Sequence, residues 1–300
     1  MSCIIDTGDF CHLKVGIACH IIIAKSTIIP PVLGQKQTFM RSFSIFSAII
    51  LLLLVSVSLT GLLHPELYAL EKPSWYLQSV GQDLVDLLLV APILGIATLY
   101  GAKGSATAKK IWAGALLYLV YTFAIYCFDV HFNRLFLLYC ALLGISVYAA
   151  LSYFIRSASE PVDDYNRGWL KLTGIYFLSI AVLFCLLWLS EIVPSISTGE
   201  TPESLRETGL LTNPVHVLDL SIVLPGIFIT GIGLLRGTRL FIMLAVPILT
   251  FFTLMDLTIA VLSTIMLVQD AGGNAYVAIF MVVLAIFSGV LLIIGEKDKP

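Results

Sequence analysis

Residues 240–268 read LFIMLAVPILTFFTLMDLTIAVLSTIMLV, and Asp256 is the only charged residue in this stretch. A helix of about 20 apolar residues crosses the hydrocarbon layer of a bilayer. The run is continuous rather than alternating with a period of two, so a strand of a transmembrane barrel is excluded. The stretch therefore predicts a membrane-spanning helix that carries one carboxyl group inside it.

The composition of the whole chain has the same character. Of its 300 residues, 59% are hydrophobic and 12% are charged, whereas soluble domains carry about 25% charged residues. A net charge of −2 argues against nucleic acid as a partner, and six cysteines do not predict a disulfide scaffold. No phosphate-binding loop or metal-binding motif is present, so no cofactor is predicted. We expect an all-α, polytopic membrane helix bundle with the lipid bilayer as its partner.

Eight apolar runs are long enough to span a bilayer. They are Ser42–Leu63, Leu84–Tyr100, Ile111–Val130, Leu135–Ile155, Leu172–Leu189, Val217–Leu235, Leu240–Val268 and Ala275–Gly295. The third and fourth runs are separated only by the polar break Asp129–Arg134, which predicts a tight hairpin there.

Lysine and arginine are distributed unequally between the two sides that these eight runs define. With residues 1–39 set aside, eleven lie on one side and three on the other, and the side richer in basic residues is normally cytoplasmic. This bias predicts that both termini are cytoplasmic. The side with three basic residues holds Lys72, Arg134 and Arg206; the opposite side holds Arg41, Lys103, Lys109, Lys110, Arg156, Arg167, Lys171, Arg236, Arg239, Lys297 and Lys299.

The N-terminal segment, residues 1–39, contains no run long enough to span. It is either a disordered tail or a spurious extension upstream of Met40 and Arg41. A second alternative concerns Ser42–Leu63, which has the basic start and apolar centre of a signal peptide. This run has no good small-x-small cleavage site near Gly61, so we expect it to be retained.

Two pairs of spans resemble each other in sequence. Asp86 and Asp219 are each followed six residues later by a proline, Pro92 and Pro225. Asp129 and Asp256 follow at distances of 43 and 37 residues, and this difference of six matches the difference between the intervening loops, Gly101–Lys110 and Arg236–Arg239. The pattern predicts a 4+4 parallel tandem repeat, with residues 40–160 as the first four-helix unit and residues 161–300 as the second.

The candidate site consists of ionisable residues predicted to lie toward the outer side. At 1.5 Å per residue, the four aspartates lie about 21 to 28 Å from the inner ends of their runs. The pairs Asp83/Asp86 and His216/Asp219 each share a helix face. The candidate substrate- or cation-binding residues are Asp86, Asp129, His216, Asp219 and Asp256; the supporting residues are Asp83, His131, Glu191, Pro92 and Pro225.

Each candidate also has a structural explanation. Asp256 could form a hydrogen bond between helices or an ion pair with Arg134. Asn213 and Pro214 are a typical helix start, and acidic residues near a helix N-terminus are stabilised by its dipole. His216 and Asp219 are residue types that bind zinc or iron, with His131 or Glu191 as a third ligand, so whether a metal binds stays open.

Residues 212–220, TNPVHVLDL, and the Pro225-Gly226 pair that follows resemble a family of uncharacterised bacterial multi-pass membrane proteins. The resemblance extends over roughly residues 40–295. It implies a prokaryotic plasma (inner) membrane as the location and implies no activity.

Three functions fit these features. The first is a small secondary transporter or permease coupled to a cation or proton, with the acidic residues as its binding site. The second is a non-catalytic membrane subunit, sensor or scaffold. The third, an enzyme with a His/Asp site at the outer face, is the least favoured. The sequence identifies neither a substrate nor an oligomeric state.

Overall fold

The computed structural model describes residues 33–297, with side chains from residue 43 onward. The described residues form helices, turns and loops and contain no strand. The chain divides into two units at Ser42, and everything below concerns the second unit, which begins at Phe43. The predicted extension, residues 1–39, lies outside the described residues except that a helix begins at Leu33.

Within the described residues, eight helices are long and apolar enough to cross a membrane, as the sequence predicts. Short helices also occupy two of the connections, at Pro65–Tyr68 and Glu203–Thr208. The long helices are numbered as follows: α1 Leu33–Leu63 (apolar over Phe43–Leu63), α2 Pro73–Ala102, α3 Ala106–Asp129, α4 Phe136–Ser157, α5 Arg167–Thr198, α6 Pro214–Leu235, α7 Arg239–Val268 and α8 Ala275–Lys297.

Helices α2 and α5 each extend well beyond the predicted apolar run at one end. Helix α2 begins at Pro73, eleven residues before Leu84, and α5 continues nine residues past Leu189 to Thr198. The added residues at the start of α2 include polar side chains that bond to distant segments: Ser74 donates to the Glu207 carbonyl (3.0 Å) and Trp75 to the Asp129 carbonyl (3.2 Å). Hydropathy alone does not detect these added helical residues, because tertiary contacts rather than an apolar environment satisfy their polar groups.

Helices α3 and α7 form the centre of the bundle. Helix α3 packs against α2, α4, α6 and α7, and α7 packs in turn against α2, α3, α6 and α8. The two central helices approach closely at Gly114, where a Cβ atom would lie 2.5 Å from the Pro247 carbonyl oxygen and 2.5 Å from Thr250 Cβ. Small residues allow this kind of close backbone approach in membrane bundles.

The outer helices pack against the centre through similar contacts. Helix α5 lies on α6, where a Cβ on Gly231 would come within 2.9 Å of the Gly174 carbonyl oxygen. Helix α1 lies on α2, since a methyl group on Gly61 would overlap the Asp83 carboxyl group. Phe43 also packs on Trp112 of α3, with ring centroids 4.6 Å apart. These contacts integrate the apolar part of α1 into the bundle.

The two Asp-x5-Pro stretches adopt the same local structure. In each, a five-residue π-helical turn begins at the aspartate, Asp86–Val90 in α2 and Asp219–Val223 in α6. The N–H of Ala91 bonds to the Asp86 carbonyl, and the N–H of Leu224 bonds to the Asp219 carbonyl. Proline has no N–H to continue the ladder, so each helix widens for one turn rather than breaking. Each proline, Pro92 and Pro225, thus follows a π turn.

A network of polar side chains connects the start of α3, the end of α8 and the α4–α5 connection on one side of the bundle. Lys110 of α3 forms an ion pair with Asp163 and donates a hydrogen bond to the Tyr165 hydroxyl oxygen (2.7 Å). Tyr165 donates to Glu296 of α8 (2.9 Å), which also accepts from Thr107. Burial, and then the neighbouring Glu296 carboxylate, raises the pKa of Tyr165 above its usual value, so the phenol remains a donor. The network fixes the α4–α5 connection to both α3 and α8.

The opposite ends are joined by a second set of contacts. Glu71, before α2, accepts hydrogen bonds from the His131 backbone N–H (2.7 Å) and lies 3.0 Å from His131 Nδ1. Lys72 donates to the Arg206 carbonyl (2.6 Å) in the short helix between α5 and α6. The connections that follow α1, α3 and α5 are therefore packed together at this end.

Candidate functional site

Asp86 lies at the centre of a hydrogen-bonded group between α2, α3 and α7. Its side chain is 1% exposed. One carboxyl oxygen, Oδ1, accepts from the Tyr118 hydroxyl (3.0 Å) and from the Gln82 amide (3.0 Å). The Tyr118 oxygen also accepts from Gln82 (2.6 Å) and lies 3.0 Å from Thr258 Oγ1 of α7. Every polar contact of the Asp86 carboxyl is thus to a neutral side chain.

Asp83, one turn earlier on α2, is also buried and also has a phenol as its partner. Tyr68, in the short helix before α2, donates to Asp83 Oδ2 (2.7 Å). Burial and the Asp83 carboxyl group raise the pKa of Tyr68, so its hydroxyl stays protonated and available to donate. The i, i+3 spacing places Asp83 and Asp86 on one face of α2, as predicted.

Asp219 of α6 occupies the corresponding position at the start of the second π turn. Its two oxygens accept from different helices: Oδ1 from the Tyr121 hydroxyl of α3 (3.1 Å), and Oδ2 from the Trp188 indole of α5 (2.8 Å). Asp219 is buried. It therefore joins α3, α5 and α6 through neutral donors.

His216 lies next to this group but belongs to a different set of contacts. Its ring packs on Trp188, with centroids 4.6 Å apart, and its Nε2 lies 3.8 Å from Glu191 Oε2 of α5. Asn213 caps the helix by accepting from the N–H groups of Val215 (3.0 Å) and His216. The predicted helix start at Asn213 and Pro214 is confirmed.

Asp256 of α7 is buried without a hydrogen bond to its Oδ2 atom among the described residues. It is 3% exposed and lies within a 30-residue helix, 12 residues before the end at Val268. Arg134 is exposed and forms no ion pair with Asp256. The suggested Asp256–Arg134 ion pair is therefore wrong. Tyr176 of α5 lies within electrostatic range of Asp256, and its buried hydroxyl lies near Ser288 of α8.

The structure brings some of the predicted site residues together and separates others. Asp86 and Asp219 are held by Tyr118 and Tyr121, which lie one turn apart on α3, so the two carboxyl groups are neighbours along that helix. Asp256 precedes Thr258 by two residues, and residues two apart on a helix point in different directions. Asp256 therefore faces away from the Tyr118 group.

Two of the predicted residues lie at the connection between α3 and α4. Asp129 ends α3 and is partly exposed, and its backbone carbonyl, rather than its carboxyl group, accepts from Trp75. His131 is exposed and lies beside Glu71 rather than His216. Among the described residues no three His, Cys, Asp or Glu side chains are placed to hold one metal ion. His131 is therefore not placed to act as a third ligand for a metal ion at His216 and Asp219.

Sequence reasoning missed the donors that hold the carboxyl groups. Tyr118, Tyr121 and Trp188 are the principal ones, and Gln82 and Tyr68 complete the set. A signal was present in the Tyr118–Tyr121 spacing, because two phenols three residues apart inside an apolar run share one helix face. Buried tyrosine hydroxyls normally find a partner, and the nearby aspartates were the available acceptors.

The Tyr118→Phe variant tests the central hydrogen-bonded group. The substitution removes one hydroxyl that contacts Asp86, Gln82 and Thr258, and it leaves buried polar groups without their partner. We expect it to lower the free energy of unfolding by about 1–3 kcal/mol, measured by thermal unfolding of the detergent-solubilised protein. The matched control is Tyr148→Phe on α4, where the side chain is 69% exposed. Equal melting temperatures for the two variants would contradict this assignment.

Eight apolar helices, most of them packed around α3 and α7, define the chain as a helical multi-pass protein that fits a lipid bilayer. Its distinctive feature is a set of buried carboxyl groups on α2, α6 and α7. Comparison with family models, curated proteins and solved structures finds no match to this chain. The family resemblance noted at residues 212–220 thus stays a prediction.

Proposed function

We propose that this protein is a small secondary transporter, a permease coupled to a proton or a monovalent cation that binds at its buried carboxyl groups. The observation that carries the proposal is the chemistry of those groups. Within the described residues, Asp83, Asp86 and Asp219 have only neutral hydrogen-bond donors, and Asp256 Oδ2 has no partner. Since an uncompensated charge inside a membrane bundle is costly, a proton or cation is needed to balance it.

A 4+4 duplication is part of this proposal. If α1–α4 and α5–α8 are equivalent, each helix–helix contact within one half should have a counterpart in the other half. Several of these contacts do. Helices α2 and α3 pack as α6 and α7 do; α3 and α4 pack as α7 and α8 do; α2 contacts α7 as α6 contacts α3. The paired π turns at Asp86 and Asp219 support the same equivalence.

The carboxyl groups lie where the two proposed halves meet. Tyr118 of the first half contacts Thr258 of the second, and Tyr121 of the first half donates to Asp219 of the second. A rocking motion of one half against the other would change both contacts. Protonation or cation binding at Asp86 or Asp219 would then favour one arrangement of the halves over the other, which is the coupling that a secondary transporter needs.

We further propose that both termini face the cytoplasm of a prokaryotic plasma membrane. The connections after α2, α4 and α6, taken together with the helix ends that adjoin them, carry eight of the chain's basic residues, whereas the connections at the other end carry three. The contacts of Lys110 with Asp163 and of Arg239 with the Glu160 carbonyl gather part of this basic set at one end of the bundle. Such an asymmetry is typical of a cytoplasmic face.

The test is a flux measurement on the whole chain reconstituted into lipid vesicles. A pH-sensitive dye trapped inside reports proton entry, and a sodium-sensitive dye reports sodium entry, after a potassium gradient and valinomycin impose a negative internal potential. We expect one of the two ions to enter faster than in protein-free vesicles. Entry of both ions at the protein-free rate would contradict the proposal and favour the alternative of a non-catalytic membrane subunit, sensor or scaffold.

A further inference from the structure

Two cysteines face each other across the α3–α4 hairpin. Cys127 lies two residues before the end of α3, and Cys140 lies in the second turn of α4. Their sulfur atoms are 4.0 Å apart. Cys140 is exposed and Cys127 is half-buried. Cys185, the third free cysteine among the described residues, lies alone on α5.

Geometry and location both favour a bond between these two sulfur atoms. A disulfide requires approach to about 2.05 Å, which the side-chain torsions of two residues on facing helix ends can provide. The closed loop would contain the polar turn Asp129–Arg134. This turn lies at the end of the bundle that also holds Glu71 and Lys72, the end with few basic residues. In the proposed topology that end faces outward, where disulfides form and persist.

We propose that Cys127 and Cys140 are a disulfide-forming pair that covalently joins the outer ends of α3 and α4. The reaction is thiol–disulfide exchange with an oxidant of the dithiol oxidoreductase class. The thiolate of one cysteine attacks the oxidant's disulfide and forms a mixed disulfide. The second thiolate then displaces the oxidant as a thiol, so that the two cysteines lose two protons and two electrons and the oxidant becomes a dithiol.

A disulfide between Cys127 and Cys140 would constrain α3, the helix whose side chains hold the buried carboxyl groups. Helix α3 supplies Tyr118 and Tyr121, which hold Asp86 and Asp219. A covalent link to α4 restricts sliding of the end of α3 and prevents the hairpin from opening. The proposal depends on the topology but not on transport, so the two can fail separately.

The experiment maps disulfide-linked peptides in the full natural chain. Cells are quenched with acid and alkylated with N-ethylmaleimide before lysis, and the purified protein is digested with trypsin without reduction. Arg134 is the only lysine or arginine between the two cysteines, so cleavage there separates their peptides unless a disulfide joins them. We expect a linked pair of peptides, containing Cys127 and Cys140, that separates on reduction.

A second measurement counts the protected thiols. In a chain with Cys3, Cys11, Cys19 and Cys185 replaced by Ser, reduction after alkylation should expose two sulfur atoms to a maleimide-polyethylene glycol tag, and a further Cys127→Ser change should remove both tags. Alkylation of both cysteines in the natural chain before reduction would overturn the proposal, as would linkage of either one to a different cysteine.

Discussion

In the flux measurement, the Asp256→Asn protein is expected to pass the coupling ion no faster than protein-free vesicles do. The amide has almost the same shape as the carboxyl group but neither accepts a proton in the relevant pH range nor carries a negative charge for a cation. Because Asp256 Oδ2 has no hydrogen bond among the described residues, the substitution breaks no contact of that atom. We therefore expect the loss of flux without a fall in the melting temperature, which separates an ion-binding role from a structural one.

The control for this variant is Asp270→Asn, the same chemical change at an exposed position just beyond the end of α7. Its ion flux should equal that of the unchanged protein. If Asp256→Asn retained full flux, Asp256 would not lie on the ion pathway. If it lost flux only together with its folded structure, its role would be structural.

The Gly114→Leu variant is expected to prevent assembly of the bundle. A Cβ at this position would lie 2.5 Å from a backbone carbonyl oxygen of Pro247 and 2.5 Å from Thr250 Cβ, and backbone cannot move aside as a flexible side chain can. Separating α3 from α7 to make room would also weaken the other contacts between these two central helices. We expect a destabilisation of at least about 3 kcal/mol, seen as loss of the monodisperse peak in size-exclusion chromatography.

Gly144→Leu is the matched control, since it introduces the same side chain within a helix of the same bundle. A Cβ on Gly144 of α4 would have no atom within 4 Å, so the added leucine meets open space. Its stability should differ from that of the unchanged protein by less than about 0.5 kcal/mol. Similar behaviour of the two glycine variants would show that the α3–α7 contact is not as close as described.

The helices were predictable to different degrees at their centres and at their ends. Hydropathy located all eight centres because any span must exclude charge over about 20 residues. It failed at the start of α2, where Ser74 and Trp75 are polar yet helical. Their hydrogen bonds to Glu207 and Asp129 come from segments far along the chain, and no local pattern contains that information.

The candidate site was also predicted in part. The sequence identified the aspartates, since ionisable residues inside apolar runs are rare and costly, and it paired Asp86 with Asp219. It also predicted four carboxyl groups at similar depth. In the structure, Asp219 lies five residues into α6, Asp86 lies 13 residues into α2 and Asp129 ends α3, so their positions along the helices differ. Positions counted from the helix starts do not measure depth in a bilayer, so the similar depth of the four carboxyl groups stays a prediction.

The sequence by itself determined that this chain forms eight apolar helices and that several of them carry carboxyl groups, because both properties depend only on which residues follow one another. The tertiary structure alone decided which donors these groups meet. Tyr118 joins Asp86 to Thr258, and Tyr121 and Trp188 hold Asp219, whereas Asp256 Oδ2 meets no donor among the described residues. A hydrogen bond depends on positions within a few tenths of an ångström, and such positions follow from the packing of whole helices rather than from sequence spacing.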